Sequence, residues 1–241
     1  MADRLGKLFV LGVGPGDPEW LTLRAHRILR EAPVVAYPQK MRSGESYALS
    51  IVESLLPTPG PERLGLVFPM TRDPEKLRIQ WEETVNRVWE KLSAGRDVAF
   101  ITEGHPYLYS TAIHLVRLLR RIHPGVEVEV VPGVSSPGGA AARLDIPLAD
   151  GDERVGIIPA VDDREAMRRA LAEHDTVVFL KVAKVMDMMV GLLEELHLVD
   201  RAAVVTKCGT PDEQVFWDIR ELRGRELEYL TLMIVKKGEQ R

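Results

Sequence analysis

Strand-like and helix-like segments alternate through the first half of this chain. Nothing else in the sequence constrains the fold as much, because parallel strands need a crossover between them, usually a helix. Leu8–Gly12 is apolar throughout, as suits a strand covered on both faces. Asp17 and Pro18 then give a helix-start signal, Asp as N-cap and Pro at the first helical position. Leu21, Ala25, Ile28, Leu29 and Ala32 supply an apolar face that ends before Pro33. Residues 8–32 therefore read as strand, turn and helix.

Short strands are predicted at residues 34–37 and 63–68, the second reached through a Pro- and Gly-rich connector at 57–61. Asp73 and Pro74 repeat the start signal for a long helix, in which Leu77, Trp81, Val85, Val88, Trp89 and Leu92 recur at helical spacing until Gly95. That stripe reads as core. Residues 97–102 predict a strand, 110–122 an amphipathic helix capped by Ser110, and 126–131 a fifth strand. The Gly- and Ala-rich segment 135–144 suits a helix packed closely on a neighbour or a ligand. Further strand-like runs fall at 155–159, 176–182, 202–207, 215–222 and 230–236, with helical patterns at 163–173 and 184–197. Only a short Arg-rich turn separates the last two runs, which predicts an antiparallel pair. The 241 residues are long for one core, domains of about 100 to 150 residues being the usual size. Five strands in each half predict two α/β domains, residues 1–146 and 147–241.

A formal net charge of -4 leaves no global basic field to hold a nucleic-acid backbone. No apolar run approaches the ~20 residues that cross a bilayer, and the first seven residues lack the apolar core of a signal peptide. The single Cys208 excludes an intrachain disulfide and a Cys-rich zinc site. The expectation is a cytoplasmic protein that binds no nucleic acid, membrane or metal ion.

Three small-residue loops stand at predicted strand ends, where ligands gather in open α/β sheets. The first, Gly12-Val13-Gly14-Pro15-Gly16-Asp17, lies between a strand and a helix. A dinucleotide fingerprint would need Gly where Asp17 stands, and an acidic side chain at the helix mouth repels a pyrophosphate. It reads either as a tight turn that needs glycines or, preferably, as a ligand-approach loop without phosphate recognition. The second loop is Thr102-Glu103-Gly104-His105-Pro106-Tyr107-Leu108-Tyr109-Ser110-Thr111, and the third Pro132-Gly133-Val134-Ser135-Ser136. Together they predict one shared crevice.

These loops, with the segments 157–160, 179–182 and 204–213, resemble the tetrapyrrole (corrin/porphyrin) methylases over nearly the whole chain. Within that family, Tyr109-Ser110-Thr111, Ile157-Ile158-Pro159-Ala160 and Lys207-Cys208-Gly209-Thr210 are most similar to the methyltransferases that act at C-20 of precorrin-2 or cobalt-factor II. The resemblance implies two α/β domains with S-adenosylmethionine in the cleft between them, a tetrapyrrole substrate, a role in cobalamin biosynthesis, and a homodimer. It places cofactor contacts at Pro15, Gly104, His105, Ser110, Thr111, Ser135, Val182, Cys208 or its neighbour Gly209, and Thr231, many of them through the backbone. One departure stands out: His105 occupies the position of the family's usual Asp.

Methyl transfer from a sulfonium needs little acid–base help, because the leaving thioether is neutral. His105, Tyr229 and Glu103 are the candidates for a base that removes a ring proton. The carboxylates of such a substrate call for local cations, which Lys40 and Arg42 after Tyr37-Pro38, and Arg72, could supply; each could equally be a solvated surface charge. Tyr37, Lys40 and Arg42 are the substrate-binding candidates. Alternatives are methyl transfer at another precorrin position, diphthine synthesis, ribosomal RNA methylation on the same fold, and a non-catalytic nucleotide-binding α/β protein.

Overall fold

A computed structural model describes residues 4–39, 44–68 and 73–238, the side chains of Pro74 and Lys76 excepted. The chain forms two compact units, the first ending at Ser135 and the second starting at Ser136, and each contains a five-stranded sheet.

The first unit runs β1 (Leu8–Gly12), α1 (Leu23–Glu31), β2 (Val34–Gln39), α2 (Tyr47–Val52), β3 (Glu62–Val67), α3 (Pro74–Ser93), β4 (Val98–Thr102), α4 (Ala112–Ile122) and β5 (Val128–Val131). Its sheet has the order β3-β2-β4-β1-β5 and is parallel throughout. Both faces are covered. Leu8, Val10 and Phe100 pack with Val85, Val88 and Leu92 of α3 and Leu115 and Leu119 of α4. On the other face Leu11, Val35 and Ile101 pack with Ala25, Ile28 and Leu29 of α1 and Ile51 and Val52 of α2. This double covering is why β1 and β4 are continuously apolar instead of alternating. Neighbouring β1 and β4 send their connections in opposite directions, to β2 on one side and to β5 on the other, so their carboxyl ends form a topological switch point.

Two local expectations change. Asp17 caps a short 3-10 turn, Pro18–Trp20, and does not start α1. Leu21 is extended (φ -65, ψ 139), and Thr22 is the true cap, its Oγ1 accepting the Ala25 amide at 3.2 Å. Helix α2 was not anticipated, although Ser46 caps it through the Leu49 amide at 3.3 Å and Ala48, Ile51 and Val52 give it a buried face at helical spacing.

The second unit contains α5 (Ser136–Leu144), β6 (Val155–Pro159), α6 (Arg164–Glu173), β7 (Thr176–Leu180), α7 (Met186–Glu195), β8 (Ala202–Thr206), β9 (Gln214–Phe216) and β10 (Thr231–Lys236). The expected boundary at residues 146 and 147 therefore moves to an earlier position: α5 packs on β10 and belongs with the second unit. The expected pairing of the last two strands is also wrong. The sheet order is β6-β7-β10-β8-β9, with β10 antiparallel to both β7 and β8. All of β10 is buried, which only a central place provides, whereas β9 is short, partly exposed and fit for an edge. The run 215–222 is strand only to Phe216; Ile219–Leu222 is a 3-10 turn capped by Asp218 that buries Ile219 and Leu222. No helix among the described residues is long and apolar enough to cross a membrane.

Candidate functional site

In the first unit the three loops meet through their main chains. Strand β1 hands its ladder on to the turn, with the Val13 amide donating to Thr102 O at 3.0 Å and the Gly104 amide to Gly14 O at 2.8 Å. Gly14 (φ 79) and Gly104 (φ 62) take the left-handed conformation that glycine adopts without strain. The third loop closes against the other two so tightly that a Cβ on Gly133 would lie 2.4 Å from Gly104 O and 2.6 Å from Gly12 O. Gly12, Gly104 and Gly133 are thus in main-chain contact at the carboxyl ends of β1, β4 and β5.

Side chains brace this contact. The Tyr47 hydroxyl, on the unanticipated α2, donates to Pro15 O at 2.8 Å. Asp17 Oδ1 accepts the Glu19 amide at 2.8 Å, so its carboxylate is spent on the short 3-10 turn that separates this loop from α1. Ser110 Oγ lies 2.8 Å from Thr102 Oγ1 and accepts the Ala112 amide at 3.1 Å, while Thr111 caps α4 with its backbone alone. Ser135 is half-buried at the entry to α5.

His105 explains its own departure from the family pattern. Its Nδ1 accepts the Tyr107 amide at 3.1 Å, the bond to the residue two positions on that an Asp side chain makes in an Asx-turn. The ring thereby forms the turn itself, and in this arrangement Nδ1 has no lone pair left for a substrate proton. Glu103 beside it has no ion-pair partner among the described residues, and burial pushes its carboxyl above the ordinary value. A partly buried carboxylate with no ion-pair partner among the described residues suits a cationic ligand.

In the second unit Val182, Cys208 and Thr231 all lie where β7 and β8 end and β10 begins. Val182 and Thr231 are buried, and Lys181 (φ 58), Lys207 (φ 48) and Gly209 (φ 81) turn the chain there in the left-handed region. Cys208 is 6% exposed, and its thiol is pushed up to about 12 by burial and then by the charge of Glu213. Tyr229 is 54% exposed, with Lys181 Nζ 5.9 Å from its ring centroid. Tyr37 is buried in the apolar cluster of β1, α1 and α2. Lys40, Arg42 and Arg72 lie outside the described residues. The residues that sequence reasoning missed are Tyr47, whose cap signal Ser46 was legible, Arg143, which had no local signal, and Glu213, which ends the motif segment 204–213 but whose partner nothing local marks.

The tetrapyrrole (corrin/porphyrin) methylase family model matches residues 7–223. The cobalt-precorrin-2 C(20)-methyltransferase of Salmonella typhimurium is 34% identical over 96% of this chain and 97% of its own. The precorrin-2 C(20)-methyltransferase of a Sinorhizobium species is 32% identical over 96% and 95%. Among solved structures, a cobalt precorrin-4 methyltransferase superposes with a TM-score of 0.73 at 24% identity, over 95% of this chain and 94% of that one. The uroporphyrin-III C-methyltransferase of Thermus thermophilus, complexed with S-adenosylhomocysteine, gives 0.68 at 25% identity, over 96% and 92%. With matching folds, matching lengths and a family match from the first strand to the end of the 3-10 turn after β9, the chain is a methyltransferase belonging to the tetrapyrrole (corrin/porphyrin) methylases.

Proposed function

We propose that the protein transfers a methyl group from S-adenosylmethionine to C-20 of precorrin-2 or of its cobalt complex, in cobalamin biosynthesis. The observation that carries this reading is the end-to-end match to relatives that bear those two names. The loops fit the donor: they offer backbone groups and a carboxylate, Glu103, with no ion-pair partner among the described residues. S-adenosylmethionine supplies a methyl group on a sulfonium, so the leaving group needs no acid.

The work of the chain is then positioning. Pro15, Gly104, His105, Ser110, Thr111 and Ser135 in the first unit, and Val182, Cys208 and Thr231 in the second, hold the cofactor. Glu103 takes the ring proton that the methyl group displaces. Its raised pKa makes it a stronger base than an ordinary carboxylate, His105 Nδ1 is engaged in its turn, and an ordinary phenol such as Tyr229 ionises only near pH ~10. With Tyr37 in the core, Lys40 and Arg42 are the proposed anchors for substrate carboxylates. The enzyme acts as a cytoplasmic homodimer, and a light-scattering mass of one chain would refute the dimer.

The test is oxygen-free turnover with methyl-labelled S-adenosylmethionine against metal-free precorrin-2 and its cobalt complex in parallel, with the new methyl located by NMR. Label at C-20 of one ring supports the reading and selects the substrate. Transfer to neither, while S-adenosylhomocysteine binds in calorimetry, refutes the ring position; absence of that binding refutes the cofactor.

A further inference from the structure

One carboxylate organises the turn that follows β8. The Glu213 side chain is 10% exposed. It receives Arg143 Nε at 2.8 and 3.1 Å and Arg143 Nη2 at 2.7 Å. It also receives the Gly209 amide at 2.6 Å. Arg143 comes from α5, the helix that begins directly after Ser135, so a single side chain ties that helix to the turn. Within the turn, the Thr210 amide and hydroxyl both donate to Lys207 O, at 3.1 and 2.9 Å. The shape being held is not one the chain would choose unaided, because Lys207 and Gly209 both have positive φ and a lysine enters that region only under constraint.

An exposed Arg–Glu pair contributes little by itself. Here the carboxylate is nearly buried, is met by the guanidinium as a fork, and spends its remaining capacity on the turn's own Gly209 amide. From this geometry we infer that Glu213 is a positioning residue for the methyl donor: it holds residues 207–210 in the shape in which Cys208 and Gly209 meet S-adenosylmethionine. The inference rests on the cofactor assignment proposed above. Burial, reinforced by the charge of the same carboxylate, keeps Cys208 in its neutral form, which matters beside an alkylating sulfonium because the thiolate is the nucleophile.

The test is calorimetric binding of S-adenosylhomocysteine to the full chain, wild type against Glu213→Gln and Arg143→Lys, with thermal melts of each. A turn populated in its competent shape about one time in ten binds about tenfold more weakly, which is the loss expected for Glu213→Gln. Arg143→Lys keeps the charge but loses the fork and should fall between the two. In turnover the KM for S-adenosylmethionine should rise by the same factor, with kcat and the KM for the tetrapyrrole within about twofold, the split expected of lost ground-state positioning. Iodoacetamide should label Cys208 faster in Glu213→Gln at a given pH. Affinity within about twofold of wild type in either variant, whatever the melts show, would reduce Glu213 to a staple of the fold and overturn the inference while leaving the proposed function intact. If Glu213→Gln does not fold, Arg143→Lys decides alone. A wild-type chain that binds no S-adenosylhomocysteine removes both readings at once.

Discussion

Replacing Gly133 by Ala tests whether the main-chain contact of the three loops matters to function. The added Cβ would meet only backbone: Gly104 O at 2.4 Å and Gly12 C and O at 2.6 Å. Ordinary contact begins at 3.4 Å, so the loop after β5 must move away from the other two by about 1 Å. No flexible side chain can give way instead. Overpacking of this kind costs about 1 to 3 kcal/mol, which lowers the melting temperature by roughly 3 to 10 °C. The larger effect falls on binding and rate, since a displacement of about 1 Å at a positioning site can cost on the order of 100-fold. Gly125→Ala is the control, because a Cβ there meets nothing within 4 Å. The assay is calorimetry with S-adenosylhomocysteine, followed by kcat/KM for methyl transfer, on both variants and on Gly12→Ala. The Gly12 and Gly133 substitutions crowd the same contact, and one displacement of the loops accommodates both, so their double variant should cost less than the sum of the two. Wild-type affinity and turnover in Gly133→Ala, with a melt like that of Gly125→Ala, would refute both the close approach and its importance.

The remaining expectations concern single interactions. His105→Asp should retain methyl transfer, because a carboxylate can accept the Tyr107 amide as Nδ1 does, whereas His105→Ala should lose about tenfold or more in kcat/KM; equal loss in both would show that the imidazole does more than form the turn. The folded-state pKa of Glu103 is raised by burial, so its ionisation costs stability as pH rises through that value. Glu103→Gln should therefore melt higher than wild type at neutral pH, lose that advantage as pH falls below about 4, and transfer methyl more slowly; an advantage independent of pH would refute the burial argument. Lys236 is 3% exposed with Nζ 2.6 Å from Glu153 Oε2, and the pair holds the Glu153 carboxyl below its ordinary value. Its contribution is thus present above the ordinary carboxylate pKa and fades as pH falls through the depressed one. At neutral pH Glu153→Gln should destabilise more than Glu153→Gln with Lys236→Met, since the single change leaves a buried ammonium unpaired; the reverse order in thermal melts would contradict this.

What the sequence determined by itself is what short-range physics decides. A run such as Leu8–Gly12 can be covered on both faces only as a central strand. Caps and apolar spacing placed α3 and α6 within a residue or two of where they lie, and the order of the glycine loops was enough to identify the family. The resemblance also offered Pro15, Gly104, Ser110 and Cys208 as proposed cofactor contacts, because those positions sit in the motifs themselves. What only the tertiary structure decided depends on competition between distant segments for the same buried space. β10 lies between β7 and β8, and not beside β9, because the strand that is apolar at both faces displaces the one that is not. Helix α5 joins the second unit because β10 offers it a surface. Tyr47 reaches Pro15 across 32 positions and Arg143 reaches Glu213 across 70, and no local pattern records which carbonyl or carboxylate a distant donor will find. Even at His105, visible as a departure from its family, only the folded loop shows that the ring nitrogen accepts the Tyr107 amide.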